Sequence, residues 1–119
     1  MKRTTIAQLG EKFSYNIVEN LIPGKYFVQG GLEFEKPGHR AHTNDGPDGS
    51  DIHTHDTAEV FIILQGRGHI ELNGENSPVH VGDVIVIEPG EDHHLTSSKE
   101  DPLVLNWLHA GEQRHQSQR

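Results

Sequence analysis

The sequence predicts an all-β chain, an antiparallel barrel or sandwich of short strands. Runs rich in Val, Ile, Phe and Tyr recur at regular spacing, with Gly, Pro, Asn and Asp between them. No ten-residue window keeps a helical period beyond one short turn within "TTIAQLGEKF" near the start. The 119 residues suit a single domain, 1–119, with a core over about 22–110 and a polar tail at 111–119.

Taken in order, "KYFVQGGLEFE" (25–35) reads as one strand, or as two broken near Gly30-Gly31. "EKPGHRAHTNDGPDGSD" (35–51) is too long and polar for a simple turn, and loops of that kind are usually functional or mobile. "AEVFIILQG" (58–66) is the next strand. In "GHIELNGENSPVHV" (68–81), Asn73-Gly74 marks a hairpin, because a type I′ turn needs positive φ at both central residues. Gly82-Asp83 makes a second turn, and "DVIVIEP" (83–89) and "LVLNWLHA" (103–110) complete the set. "VFIIL" and "VIVI" are apolar on both faces, so a partner or packed sheet is expected to cover the face turned away from the core.

Composition excludes several kinds of function. The chain has no cysteine, which removes disulfides, thiolate metal sites and a thiol nucleophile. Its net charge is −8, from 18 acidic against 10 basic residues, and there is no basic stripe, so nucleic acid is not an expected partner. No stretch approaches the ~18 to 20 apolar residues of a membrane span. "MKRTTIAQLG" lacks the apolar centre of a secretory signal, so the expected location is cytoplasmic. Ten histidines, spread along the chain rather than gathered in a tag, direct attention to metal chemistry.

The sharpest signal is "HTHDTAEVFIILQG" (53–66). Read as a strand, it places His53, His55 and Glu59 on one side, with Phe61 and Ile63 continuing the row. Read as a helix, it would turn the two imidazoles about 200° apart. "IEPGEDHHL" (87–95) turns at Pro89-Gly90 and brings a further imidazole, His93 or His94, from a strand opposite 58–65. Mixed imidazole and carboxylate donors suit one divalent transition metal per chain (Mn, Fe, Co, Ni, Cu or Zn) and do not suit calcium or magnesium. Positions not taken by protein would be left for water or substrate.

These residues resemble the cupin superfamily. Its first motif pairs His-x-His with Glu four residues on and Gly seven further, here His53, His55, Glu59 and Gly66. The second motif matches at Gly82, Gly90 and His93. Three positions depart from the pattern: Pro47 stands where the first motif expects Gly, Glu88 precedes a displaced Pro89, and Ser97 replaces a frequent Asn. The resemblance implies a double-stranded β-helix, or jelly roll, with the metal inside one end. It makes His93 the fourth ligand, leaves His94 a neighbouring or solvent-facing residue, and implies a homodimer.

The expected function is a metal-dependent enzyme acting on a small oxygen-bearing metabolite, of dioxygenase, decarboxylase, isomerase or lyase type. Glu59 is either a ligand or a catalytic base. The alternatives are a sugar- or metabolite-binding module without turnover and a metal-holding structural protein. Trp107, Arg67 and His42 are candidate pocket contacts, and His39, Arg40 and His42 lie in a loop that either caps the cavity or is plain exposed surface. Tyr26, Phe34 and Phe61 read as core or cavity wall. Asp45, Asp48, Asp51 and Asp56 favour turns more than ligation. His69 and His80 are expected in a structural or surface role, and His109 and His115 carry no signal beyond composition.

Overall fold

The computed structural model describes residues 1–44 and 46–112, so Asp45 and His115 lie outside the described residues. The strands are β1 (Lys2–Thr5), β2 (Tyr26–Phe34), β3 (Ala58–Gln65), β4 (Gly68–Leu72), β5 (Glu75–Val79), β6 (Asp83–Ile87), β7 (His93–Ser97) and β8 (Val104–Gly111). One short helix, α1 (Ile6–Lys12), follows β1 and is capped by the Thr5 hydroxyl, which accepts from the Gln8 N–H.

The strands form two sheets, in orders β1-β6-β3-β8-β2 and β5-β4-β7, and every pairing is antiparallel. Alternate residues of each sheet face inward, and their side chains close one core. Phe61, Ile63, Ile85, Ile87 and Leu105 meet Ile70, Val79 and Leu95 from the smaller sheet. Each fully buried Ile or Leu contributes about 2 to 3 kcal/mol by removal from water. This is the antiparallel sandwich expected from the strand pattern, with the jelly-roll form that the resemblance implies.

The Asn73-Gly74 turn has φ 46° and 86° and joins β4 to β5 with Leu72 opposite Glu75, the geometry the dipeptide predicts. β2 is one unbroken strand through Gly30-Gly31, with its irregularity at Phe27–Gln29 instead. At Gly30 a side chain would collide with the Trp107 carbonyl and Leu108, 2.6 Å from an added Cβ. Gly66, with φ +87°, has the Pro102 carbonyl oxygen 2.0 Å from any Cβ, so the turn from β3 to β4 admits only glycine.

Two strands are not evident from the sequence. β1 is a polar edge strand on β6, and β7 is built on the paired histidines and pairs with β4. β6 lies directly beside β3 in the same sheet, with Glu59 opposite Ile87, rather than across the barrel from it. The outer face of the larger sheet corrects another expectation. Val60, Val84 and Val86 are buried there against Leu9, Leu21 and Ile22 of the chain's own N-terminal segment, so no partner is needed to cover them. Apolar side chains remain on β2, an edge strand among the described residues, where Phe27, Leu32 and Phe34 are all more than half exposed. No helix among the described residues is long and apolar enough to cross a membrane.

Candidate metal centre

Strand β3 carries Glu59 inward at its first turn of the pleat, in the same row as Phe61 and Ile63. The strand begins only at Ala58, however, so His53 and His55 are not placed by strand parity. Irregular chain carries them, held against the turn before β7. The His93 N–H donates to the His53 carbonyl, the Gly90 N–H to the His55 carbonyl, and the His53 N–H to the Asp92 carboxylate at 2.6 Å. The two motif segments therefore lie side by side through backbone hydrogen bonds.

The donor atoms then converge. Glu59 Oε1 lies 3.1 Å from His55 Nε2 and 3.0 Å from His93 Nε2, and the two nitrogens are 3.3 Å apart. His53, His55 and His93 each offer a ring nitrogen within 4.8 Å of the others, and so do the donor atoms of His55, Glu59 and His109. His55 Nδ1 faces the Thr57 carbonyl at 2.7 Å and His93 Nδ1 faces the Glu91 carbonyl at 2.9 Å. A carbonyl only accepts, so both rings carry their proton on Nδ1 and present the Nε2 lone pair to Glu59. Lone pairs so close together are stable only with a cation among them, either a proton or a metal ion.

The arrangement fits a metal. Donors about 2.0 to 2.2 Å from one ion stand about 3.0 to 3.5 Å from each other, the spacing found here. A ring nitrogen pinned by a carbonyl is also the usual support for a metal-ligating imidazole. The cluster of histidines with Glu59 can therefore hold a metal ion.

The electrostatics agree. With a proton or a metal ion among those nitrogens Glu59 faces positive charge; burial alone would raise its carboxyl, but the contacts to His109, His55 and His93 outweigh it and hold the group well below the ordinary carboxylate range. Burial opposes charging of His55, yet Glu59 and the Thr57 carbonyl raise its pKa overall.

His109 is the residue that composition gave no reason to choose. Its Nε2 donates to Glu59 Oε2 at 2.9 Å, and its Nδ1 accepts from the Thr57 hydroxyl at 2.9 Å. The signal was available in "LVLNWLHA". Alternation along β8 puts Leu103, Leu105, Trp107 and His109 on one side, and Leu105 belongs to the core.

The cluster sits in a cavity of about 720 Å³, within the range of small-molecule sites. Trp107 and His42 line it, and the His42 ring stacks on His53 with centroids 3.5 Å apart. Arg67 does not. It lies in the turn after β3, exposed and paired with Asp101 at 3.3 Å, because the tight Gly66 turn directs it out of the sandwich. His94 is buried but turns away from the cluster, bonding the Ala41 carbonyl and Asp92. Phe34 and Phe61 line the cavity, as does Asp56, whereas Asp51 pairs with Arg40 in the preceding loop. Asp48 holds a left-handed turn position in the same loop, and Arg40 also bonds Glu71. His39 and His80 are surface residues, with side chains more than half exposed, and His69 is exposed on β4. Ser97, where the motif favours Asn, accepts the Leu103 N–H at 2.8 Å.

An uncharacterized protein of Methanocaldococcus jannaschii is 36% identical over 55 residues, 45% of this chain and 44% of that one. The chain thus spans less than half the length of that relative. Among solved structures, a cupin protein from Bacteroides fragilis aligns over 76% of this chain and 70% of its own, with TM-score 0.59 and 18% identity. A Thermotoga maritima protein described as a predicted oxalate decarboxylase aligns over 71% and 66%, with TM-score 0.55 and 23% identity. At such identities the likeness establishes the fold. The cupin-domain family model matches residues 39–109, more than half of the chain and the whole of the histidine cluster, and the chain belongs to the cupin family.

Proposed function

We propose that this protein is a metal-dependent enzyme acting on a small oxygen-bearing molecule, with His53, His55, His93 and Glu59 as ligands of one divalent transition metal. The observation that carries the reading is the convergence of two carbonyl-pinned imidazole lone pairs and Glu59 Oε1 within 3.0 to 3.3 Å, inside a cavity of small-molecule size. The ion would supply Lewis acidity, and oxygen activation if it is iron or copper.

The chain's own groups do the rest. Glu59 is held ionised by three imidazoles, so it serves as a charged ligand and is a poor proton acceptor while those contacts persist. His42 and Trp107 form cavity wall, and Phe61 keeps the inner side of the cluster dry. The oxalate chemistry in the description of the Thermotoga protein is not carried over here. Oxalate is a small dianion, and among the described residues no Lys or Arg lines this cavity.

Element analysis of the purified protein beside a His53→Ala, His93→Ala double variant tests the proposal. About one metal per chain is expected in the parent and almost none in the variant. A metal-free parent that cannot be loaded would sink the reading. A binding module without turnover shares this site, and would show filling of the cavity without product. The homodimer that the resemblance implies finds its support in the apolar residues Phe27, Leu32 and Phe34 on β2, an edge strand among the described residues. A monomeric sedimentation profile at micromolar concentration would count against it.

A further inference from the structure

Apart from its imidazoles, the charged side chains of the cavity are of one sign. Among the described residues its lining includes the carboxylates Glu33, Asp56 and Glu59 and no lysine or arginine, in a chain of net charge −8. Once Glu59 is engaged by imidazoles, Glu33 is the acidic group farthest from the metal cluster along β2. Its register partner on β8 is Leu105, whereas His109 pairs with Gln29. Four residues of extended strand separate the two levels, about 13 Å between Cα positions. With side chains reaching in from both ends, the remaining gap has the length of a molecule of one or two rings.

Glu33 is also backed by a second carboxyl. Glu35 is 5% exposed, and neither of its oxygens has a hydrogen-bond partner. Strand alternation puts it on the same side of the chain as Glu33. Two carboxylates offer no donor to one another, so the contact becomes a hydrogen bond only when one holds a proton. Burial first, then the hydrogen bond and charge of Glu33, push the Glu35 carboxyl up to about 8. Glu35 therefore carries the proton and donates it toward Glu33, steadying the carboxylate that faces the cavity.

We propose that the cavity takes a molecule with a metal-chelating oxygen pair at one end and a neutral or cationic hydrogen-bond donor at the other, and that Glu33 is the specificity residue that reads this far end. The assignment rests on the metal reading above. Trp107 and Phe61, its register partner on β3, supply apolar wall between the two ends. Phosphorylated sugars and dicarboxylates are disfavoured, since nothing but the ion would offset their charge.

Three catechols with the same chelating head test this directly. Dopamine carries an ammonium tail, hydroxytyrosol a hydroxyl, and 3,4-dihydroxyphenylacetate a carboxylate. Binding to the metal-loaded protein is followed by calorimetry, with metal content measured separately. The expected order is ammonium, then hydroxyl, then carboxylate, with about five- to tenfold between the first and last. Glu33→Gln should erase the preference for ammonium without changing metal content, and Glu33→Lys should invert it. Asp56→Asn should leave the order intact. Equal affinities, tightest binding of the carboxylate, no binding of any of the three, or a preference that survives Glu33→Gln and falls with Asp56→Asn would each overturn the proposal. Failure to bind metal at all would instead remove the metal reading, and this assignment with it.

Discussion

At one end of the cavity Glu59 is 6% exposed, and both carboxylate oxygens meet imidazoles. Behind Glu33, at the other end, Glu35 is 5% exposed, and neither oxygen meets a donor. Exposure is nearly equal, and burial alone would raise both carboxyls, so partners decide the difference. Contacts to His109, His55 and His93 outweigh burial and keep Glu59 ionised. At Glu35 nothing opposes burial, and the hydrogen bond and charge of Glu33 add to it, which leaves the group protonated up to about pH 8. The same sandwich thus gathers donors that can hold a cation at one end and, in the reading proposed above, a carboxylate that reads the ligand at the other.

The strongest way to break the contrast is Glu59→Gln. An amide keeps the shape but loses the charge that draws the three imidazoles together. Metal affinity should fall by more than about 100-fold in a calorimetric titration. Retention of full affinity would remove Glu59 from the ligand set.

His109→Gln is the next test, and it separates an orienting residue from a ligand. The ring fixes Glu59 through Oε2 and is itself fixed by Thr57. Losing such an outer partner typically lowers metal affinity about 10- to 100-fold. Thr57→Val should reproduce a fraction of that loss, because it frees the ring without removing it. If Thr57→Val is silent and His109→Gln is as severe as Glu59→Gln, His109 is a ligand and not a support.

The strands that are apolar and β-branched were legible in the sequence, as was the Asn73-Gly74 hairpin, because periodicity and turn chemistry report burial directly. β7 was not, since "HHLTS" has little apolar content. Its inward places are filled by a ligand-type histidine and by Leu95, and its pairing with β4 is a tertiary fact. The meeting of His53, His55 and Glu59 was legible as a motif but rests on a different cause. Backbone hydrogen bonds to residues 90–93 place the two histidines, and no strand parity does so. Arg67 stands outside the cavity because its neighbour Gly66 turns the chain outward. Glu33 and Glu35 share the alternation that would have flagged them. Their partner relationship depends on burial, which charge alone argues against.

Glu35→Gln is the mildest change and bears on the acidic end. The carboxyl's reference value is 4.5, and in the folded protein it is raised to about 8. Between those values the folded state holds a proton that the unfolded chain has released. Stability should therefore fall as pH rises from about 4.5 to about 8, and then level off. Glutamine has no proton to lose and can donate to Glu33 at every pH. Glu33 and His39 are the titratable neighbours to consider. His39 Nε2 lies 3.8 Å from Glu35 on a half-exposed side chain, too far for a hydrogen bond. At pH 9 the variant should melt about 5 °C above the parent, and at pH 4 the two should coincide within about 1 °C. A gain of the same size at both pH values would mean that the substitution improves packing alone. Glu35 would then not be the proton holder behind Glu33, and the carboxylate facing the cavity would lack its fixed support.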